Sequence, residues 1–112
     1  MYEIFESVGH LYIVMEYASN GDLLEYVKGK GKLETSEARK MFRQIVYGLA
    51  HIHSRGVIHR DIKLDNIFLD DDLNPKIGDF GVSKVITKDE LMVEQCGTPA
   101  YLAPEIIQNE VA

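Results

Sequence analysis

The pattern of apolar and polar positions divides the 112-residue chain into segments with different periods. Near the N-terminus, two short runs rich in aromatic and β-branched side chains cover residues 2–7 and 11–15, with Gly9 between them. Two such runs on either side of a turn residue are typical of an antiparallel hairpin. We therefore predict a β-hairpin at the start of the chain.

The segment from Glu34 to Arg55 has the period of an amphipathic helix, and Arg55 and Gly56 end it with a positive charge and a helix-stopping glycine. Local preferences favour Thr35 or Ser36 as the N-cap. We expect the methionine and phenylalanine stripe of this helix to lie in the core, and a shorter helix at residues 23–28. Apolar residues recur every three or four positions at Ala38, Met41, Phe42, Ile45, Val46, Leu49 and Ile52.

A second hairpin is predicted where the apolar run 67–69 and the run 76–78 flank a turn rich in aspartate. Polar residues lie just before the first of these strands and just after the second. A hairpin brings those two ends to one edge of a small sheet. The residues are Asp61, Lys63, Asn66 and Asp79.

These four side chains form a chemically coherent set. Two carboxylates and an amide oxygen suit hard divalent cations, and the lysine suits a phosphate. Phosphoryl transfer depends mostly on positioning and charge neutralisation, so this set points to that reaction.

Composition narrows the choice of partner. The chain is 46% hydrophobic and 27% charged, which is ordinary for one globular domain. Its net charge of −6 disfavours nucleic acid and anionic membranes, and is compatible with a basic peptide substrate. The single cysteine, Cys96, fits a reducing compartment. No apolar stretch approaches about 18 residues, and the acidic start does not resemble a signal peptide. We expect cytoplasm or nucleus.

Two other patterns invite functional interpretations that we do not favour. His51, His53, His59 and Asp61 could suggest a metal site, but helical residues two apart point to different faces. We expect His59 to be a packed histidine that braces its loop. Residues 29–32 alternate glycine and lysine but lack the spacing of a phosphate-binding loop, so we interpret them as a flexible connection.

Three motifs in order resemble those of eukaryotic protein kinases. His59-Arg60-Asp61 with Asn66 resembles the catalytic loop, Asp79-Phe80-Gly81 the magnesium loop, and Ala103-Pro104-Glu105 the end of the activation segment. Lys63 and the sequence Gly97-Thr98-Pro99 resemble the serine/threonine branch. The resemblance covers essentially the whole chain.

The resemblance implies an α+β, partial protein-kinase-like fold with an N-terminal hairpin and hinge followed by a mainly helical large-lobe part that contains a small hairpin. It places a partial kinase domain over residues 1–112, with the small-lobe hairpin at 1–15, the hinge at 16–20 and the N-terminal half of the large lobe at 21–112. Its register places Glu34, rather than a later residue, at the cap of the long helix.

The resemblance also assigns catalytic roles. Asp61 accepts a hydrogen bond from the substrate hydroxyl and takes its proton, and Lys63 neutralises charge on the γ-phosphate of ATP. Asn66 and Asp79 hold two magnesium ions, so ATP and Mg²⁺ are the implied cofactors. Thr98 ties the activation segment to Asp61 and Lys63.

A further set of residues would surround the nucleotide. Backbone groups of the hinge would bind the adenine edge. Without the downstream motifs, residues 16–18 would instead be interpreted as an ordinary strand end. The implied binding residues are Met15 at the back of the pocket, Glu16 and Ala18 at the hinge, Asp22 at the ribose, and Phe68 at the floor with Leu23 beneath it.

One difference from the family pattern suggests a mode of regulation. Many relatives have a phosphorylated threonine where this chain has Glu94, and Arg60 and Lys84 match basic residues that bind that phosphate. Glu94 could pair with Arg60 permanently, so that activation needs no phosphorylation at this position. The alternative is a solvated loop glutamate. Thr87 is another candidate phosphorylation site.

Two functions remain open from the sequence. One is a serine/threonine protein kinase, with a preference for arginine or lysine before the phosphoacceptor because Asp22 and Asp65 line that side in some relatives. The other is a truncated, non-catalytic binding module.

Because the glycine-rich loop and its lysine have no match here, we expect the chain alone to fold poorly, to expose the apolar face of its long helix and to have little activity without the remainder of the domain.

Overall fold

A computed structural model describes residues 3–86 and 96–108 of the chain. Within these residues it shows short antiparallel hairpins and ladders around helices, which confirms the predicted α+β class. The elements in chain order are β1 (Glu3–Ser7), β2 (His10–Val14), α1 (Leu23–Lys30), α2 (Thr35–Ser54), β3 (Val57–Ile58), β4 (Ile67–Leu69), β5 (Pro75–Ile77), β6 (Lys84–Val85) and α3 (Pro104–Ile107), with 3₁₀ turns at Leu64–Asn66 and Pro99–Tyr101.

The N-terminal hairpin is present as predicted. β1 pairs with β2 in antiparallel register from Glu3 opposite Val14 to Ser7 opposite His10. Gly9 has a φ of 79°, which glycine adopts without steric cost and which allows the tight turn. Both strands are exposed along their whole length. The predicted boundaries between this hairpin, the hinge and the large lobe stay predictions.

Helix α1 is bounded by local chemistry. The side chain of Asp22 accepts a hydrogen bond of 2.9 Å from the Glu25 N–H, so Asp22 is the N-cap. Gly31, with a φ of 81°, ends the helix, which extends two residues beyond the predicted end at residue 28. The long helix ends at its own glycine signal, since Gly56 follows it with a φ of 75°.

The start of α2 corrects the expectation from local capping. Glu34, not Thr35 or Ser36, is the N-cap, and its side chain makes no capping hydrogen bond. In the first turn, Glu37 accepts a hydrogen bond of 2.8 Å from Lys30 of α1. The register implied by the family resemblance, with Glu34 at the cap, is the one that the structure has.

The core lies between α1, α2 and the β4–β5 hairpin. Its buried members are Leu23, Met41, Ile67 and Leu69. The expectation that the whole stripe of α2 is buried was wrong, because Phe42 is 68% exposed and Val46 is 42% exposed. Among the described elements, β5 and β3 lie against α2, and Met41 packs in the core with Leu23 of α1 and with Ile67 and Leu69 of β4. The expectation that the chain alone exposes the apolar face of this helix is met at Phe42 and Val46.

Among the described residues, no helix combines the length and the apolar character that crossing a bilayer requires.

Candidate active site

The site is built at one edge of the β4–β5 hairpin. Ile67 pairs with Ile77 and Leu69 with Pro75, and beyond the ladder the Gly78 N–H donates to the Asn66 carbonyl at 2.9 Å. Asn66 and Asp79 therefore lie at the same edge, as the sequence predicted.

His59 connects the loop before β4 with the loop after β5. It is 1% exposed. Its Nε2 lies 2.6 Å from the Gly78 carbonyl, which can only accept, and its Nδ1 accepts from the Asp61 N–H at 3.1 Å. The ring is thus neutral, with its proton on Nε2. It also packs edge-on against Phe80, with ring centroids 4.8 Å apart. The predicted bracing contact is present.

Asp61, Thr98 and Lys63 form a chain of hydrogen bonds. Lys63 Nζ donates to the Thr98 hydroxyl at 2.6 Å, and that hydroxyl donates to Asp61 Oδ1 at 2.8 Å. The Thr98 N–H donates to the same oxygen at 3.1 Å. Two segments separated by 37 positions in sequence are thereby joined at one carboxylate.

This arrangement keeps Asp61 ionised. The Thr98 hydroxyl is the main reason that the pKa of the Asp61 carboxyl lies below its usual value. Burial acts in the opposite direction, while the charge of Lys63 and the amide of Asn66 lower the pKa further. Lys63 Nζ lies 3.9 Å from Asp61 Oδ2.

Asn66 is buried and oriented by Asp61. Its amide nitrogen donates to the Asp61 carbonyl at 2.8 Å and to Asp61 Oδ2 at 3.3 Å. Its amide oxygen has no hydrogen-bond partner within residues 3–86 and 96–108. The second predicted metal ligand, Asp79, is exposed and accepts from the Gly81 N–H at 3.3 Å.

Two residues beside the site have strained backbone. Arg60 has a φ of 73° and Asp79 a φ of 53°, in the left-handed region that non-glycine residues seldom occupy. Such strain is tolerated where the surroundings hold it in place, and it is concentrated at functional sites. Arg60 directly precedes Asp61, and Asp79 directly follows the end of the β4–β5 hairpin.

The donor set suits magnesium better than a softer metal. Asn66 and Asp79 supply oxygen donors, and Mg²⁺ uses few protein ligands because it retains water and binds phosphate oxygens. In the described part of the chain, no group of three or more histidine, cysteine, aspartate or glutamate side chains could hold a metal ion.

The predicted nucleotide residues lie around the segment that leads from β2 to α1. Glu16 Oε2 is 3.6 Å from Lys76 Nζ on β5, and the Ala18 carbonyl accepts from the Gly21 N–H at 3.1 Å. Met15 is exposed, and Leu23 is buried in the core beneath β4. The main chain of Asp22 forms an isolated antiparallel β-bridge with that of Phe68.

Sequence reasoning missed Asn20 as a residue that holds this segment in place. Its N–H donates to the Leu69 carbonyl at 3.0 Å, and its side chain donates to the Asp70 carbonyl at 2.8 Å. The Leu69 N–H donates in return to the Gly21 carbonyl at 2.8 Å. An asparagine before a glycine signals only a turn, so its role across the sheet could not be inferred from the sequence.

The residues with predicted regulatory roles are only partly within the described chain. Arg60 Nε donates to the Val82 carbonyl at 2.6 Å, and Lys84 pairs with Ile58 in the β3–β6 ladder. Glu94 and Thr87 lie outside the described residues, so the proposed pairing of Glu94 with Arg60 is untested.

A cavity of about 420 Å³ lies beside the catalytic loop. The residues that line it include Ile58, Asp61, Thr98, Leu102 and Ile106. Asp61 and Thr98 therefore face open space on one side as well as each other.

Comparison with known proteins agrees with this geometry. The family model for the protein kinase domain matches residues 1–112. NUAK family SNF1-like kinase 1 of Mus musculus is 47% identical over 109 residues, which are 97% of this chain and 17% of that protein. CBL-interacting serine/threonine-protein kinase 24 of Arabidopsis thaliana is 43% identical over 111 residues, which are 98% of this chain and 25% of that protein.

A third relative is the SNF1-related protein kinase catalytic subunit alpha KIN12 of Arabidopsis thaliana, 42% identical over 109 residues, which are 97% of this chain and 22% of that protein. The chain thus spans a quarter or less of the length of these curated relatives. The family model covers every residue, and the motifs meet at one edge of the fold. The chain therefore belongs to the protein kinase family, in its serine/threonine branch.

Proposed function

We propose that the protein transfers the γ-phosphate of ATP to a serine or threonine hydroxyl of a protein substrate. The observation that carries this proposal is the hydrogen-bond chain from Lys63 through Thr98 to Asp61. It places a cation and an ionised carboxylate side by side, joined by one hydroxyl, next to an open cavity.

In the proposed reaction, Asp61 accepts a hydrogen bond from the substrate hydroxyl and aligns its oxygen toward phosphorus. The hydroxyl oxygen forms the new bond to phosphorus, the bond to the leaving oxygen of ADP breaks, and the proton passes to Asp61. Because the pKa of Asp61 is lowered, it takes the proton late, when the hydroxyl has become acidic. Lys63 neutralises charge on the transferred group.

Asn66 and Asp79 would hold magnesium. When bound, the metal would neutralise phosphate charge and help to orient the phosphates. The support from this chain is the orientation of Asn66, whose nitrogen is committed to Asp61 and whose oxygen is left for a ligand. Met15, Glu16, Ala18, Asp22 and Phe68 would surround the nucleotide, with Leu23 supporting the floor.

The experiment is transfer of labelled phosphate from ATP to a generic protein substrate by the full-length protein. We expect transfer with the wild type and a loss of at least about a thousandfold with Asp61→Asn, which keeps the shape but removes the charge and the base. Equal rates for the two proteins would contradict the proposal. A wild type that binds protein partners but transfers no phosphate would favour the binding-module alternative.

We also propose that substrates with arginine or lysine before the phosphoacceptor are preferred. Asp65 supports this, because its carboxylate is 44% exposed although it lies 3.8 Å from Lys63 Nζ. Asp22 is the second acidic residue that, by the family resemblance, lines the side where basic substrate residues bind. A peptide array should show basic residues enriched before the phosphoacceptor, and a profile without that enrichment would remove the idea.

Activation without phosphorylation at position 94 remains a separate proposal. Glu94→Gln in the full-length protein should lower activity, because it removes the charge that Arg60 would bind. Unchanged activity would show that the pairing is irrelevant.

The lone cysteine supports an intracellular setting, and we place the activity in the cytoplasm or nucleus.

A further inference from the structure

Gly78, the residue directly before Asp79, is a glycine for steric rather than conformational reasons. The glycines with positive φ are Gly9, Gly21, Gly31, Gly56 and Gly97, and Gly78 is not among them. Its backbone is therefore open to any residue. Yet a Cβ at Gly78 would lie 2.6 Å from Phe68 Cε2 and 2.7 Å from Phe68 Cδ2, closer than at any other glycine of the chain.

The main chain of Gly78 has little freedom to relieve such a clash. Its N–H donates to the Asn66 carbonyl at 2.9 Å, and its carbonyl lies 2.6 Å from the buried His59 Nε2. A shift of this peptide would carry Asp79 with it and disturb Asn66. The Phe68 ring is therefore the part that would have to move.

The position of the ring follows from the alternation of β4. Ile67 and Leu69 are buried in the core, so Phe68 between them lies on the opposite face of the strand. Its cross-strand partner Lys76 shares that face. Because Lys76 reaches Glu16, this face of the hairpin is the one turned toward the segment that joins β2 to α1.

We propose that Gly78 is a positioning residue for the base of the nucleotide and acts through Phe68. The missing side chain lets the aromatic ring lie directly on the main chain at the end of β5. The ring then offers a flat apolar surface to a planar purine. This inference rests on the proposed function, in which Phe68 forms the floor of the adenine site.

The test compares KM for ATP and kcat in the full-length wild type, Gly78→Ala, Phe68→Leu and the double variant. An added methyl group should push the ring into the space for the base and raise KM for ATP about tenfold. We expect a much smaller change in kcat, since Asp61 and Lys63 are not touched. In the double variant, the smaller leucine at position 68 should leave room for alanine at position 78. Its KM for ATP should therefore equal that of Phe68→Leu alone.

Gly48→Ala is the matched control. A Cβ there would lie 3.3 Å from Ile77 Cδ1, so it also adds a methyl group against β5 but on the α2 side. It should leave KM for ATP unchanged. Additive effects of Gly78→Ala and Phe68→Leu on KM would overturn the proposal, because the two residues would then act independently.

Direct binding separates this inference from the proposed function. The probe is the non-hydrolysable ATP analogue AMP-PNP with Mg²⁺, measured by calorimetry. A wild type that does not bind the analogue overturns the proposed function. A wild type that binds it, together with a Gly78→Ala variant that binds equally well, overturns the positioning role alone.

Discussion

At the scale of single residues, the charge state of Asp61 depends on two neighbours, Lys63 beside it and Thr98 far along the chain. The family resemblance implies that these three residues meet. The structure adds the direction of each hydrogen bond, from Lys63 to Thr98 to Asp61. It also adds the tautomer of His59, which depends on two backbone groups that no motif specifies.

The first prediction concerns the hydroxyl of Thr98. Thr98→Ala removes the largest influence that lowers the pKa of Asp61, so this pKa should rise toward its usual value. The acid limb of the pH profile of kcat should then move to higher pH, and kcat at neutral pH should fall about tenfold or more, as for loss of a hydrogen bond to a charged group.

Thr98→Ser is the control for this prediction, because it keeps the hydroxyl while removing only a methyl group. Its pH profile should overlay that of the wild type. An acid limb that stays in place in Thr98→Ala would show that the hydroxyl does not set the protonation of Asp61.

At the scale of elements, periodicity and stop signals predicted where helices and hairpins occur, whereas their contacts decided the details. The N-cap of α2 is Glu34, although Thr35 and Ser36 have the higher capping preference, and Glu37 in the first turn contacts Lys30 of α1. Phe42 has the spacing of a core residue and is nevertheless mostly exposed. Burial depends on which neighbours cover a face, and a one-dimensional pattern does not contain that information.

The second prediction concerns the N-cap of α1. Asp22→Ala removes the acceptor for the Glu25 N–H and should lower the free energy of unfolding by about 1 kcal/mol. Asp22→Asn keeps an acceptor of similar capping strength and should change stability little. Urea unfolding monitored by circular dichroism measures both variants.

These two variants also separate capping from ligand binding. If Asp22 binds ribose, both variants should weaken nucleotide binding relative to the wild type, while only Asp22→Ala destabilises the fold. Equal unfolding midpoints for Asp22→Ala and the wild type would contradict the capping role.

At the scale of the whole molecule, several carboxylates prefer their charged form in the folded state. Backbone N–H groups, first that of Asn74 and then that of Asp72, lower the pKa of Asp70 in the β4–β5 turn. The Thr98 hydroxyl does the same for Asp61, and Lys30 for Glu37. Protonation of these three carboxylates therefore weakens the turn, the active site and the α1–α2 contact, each through its own proton.

The third prediction is a loss of stability on the acid side. A carboxyl whose pKa is lower folded than unfolded stabilises the fold above its unfolded pKa, about 3.9 for aspartate. That contribution disappears as pH falls through the folded value. The urea midpoint should therefore be level near neutral pH, begin to fall at about pH 5 and continue to fall as the pH drops below the unfolded aspartate pKa.

Asp70→Asn tests how this acid sensitivity is distributed. Asp70 Oδ1 accepts from the N–H groups of Asp72 and Asn74, both at 2.9 Å, and an amide oxygen accepts the same bonds less strongly. The variant should be less stable at pH 7, and its urea midpoint should depend less on pH between 5 and 3 because one linked proton is gone.

Asp72→Asn removes the same charge from the same turn but leaves both hydrogen bonds, so it should retain the wild-type slope. Equal slopes for Asp70→Asn and Asp72→Asn would mean that net charge, and not the geometry of the turn, controls unfolding in acid.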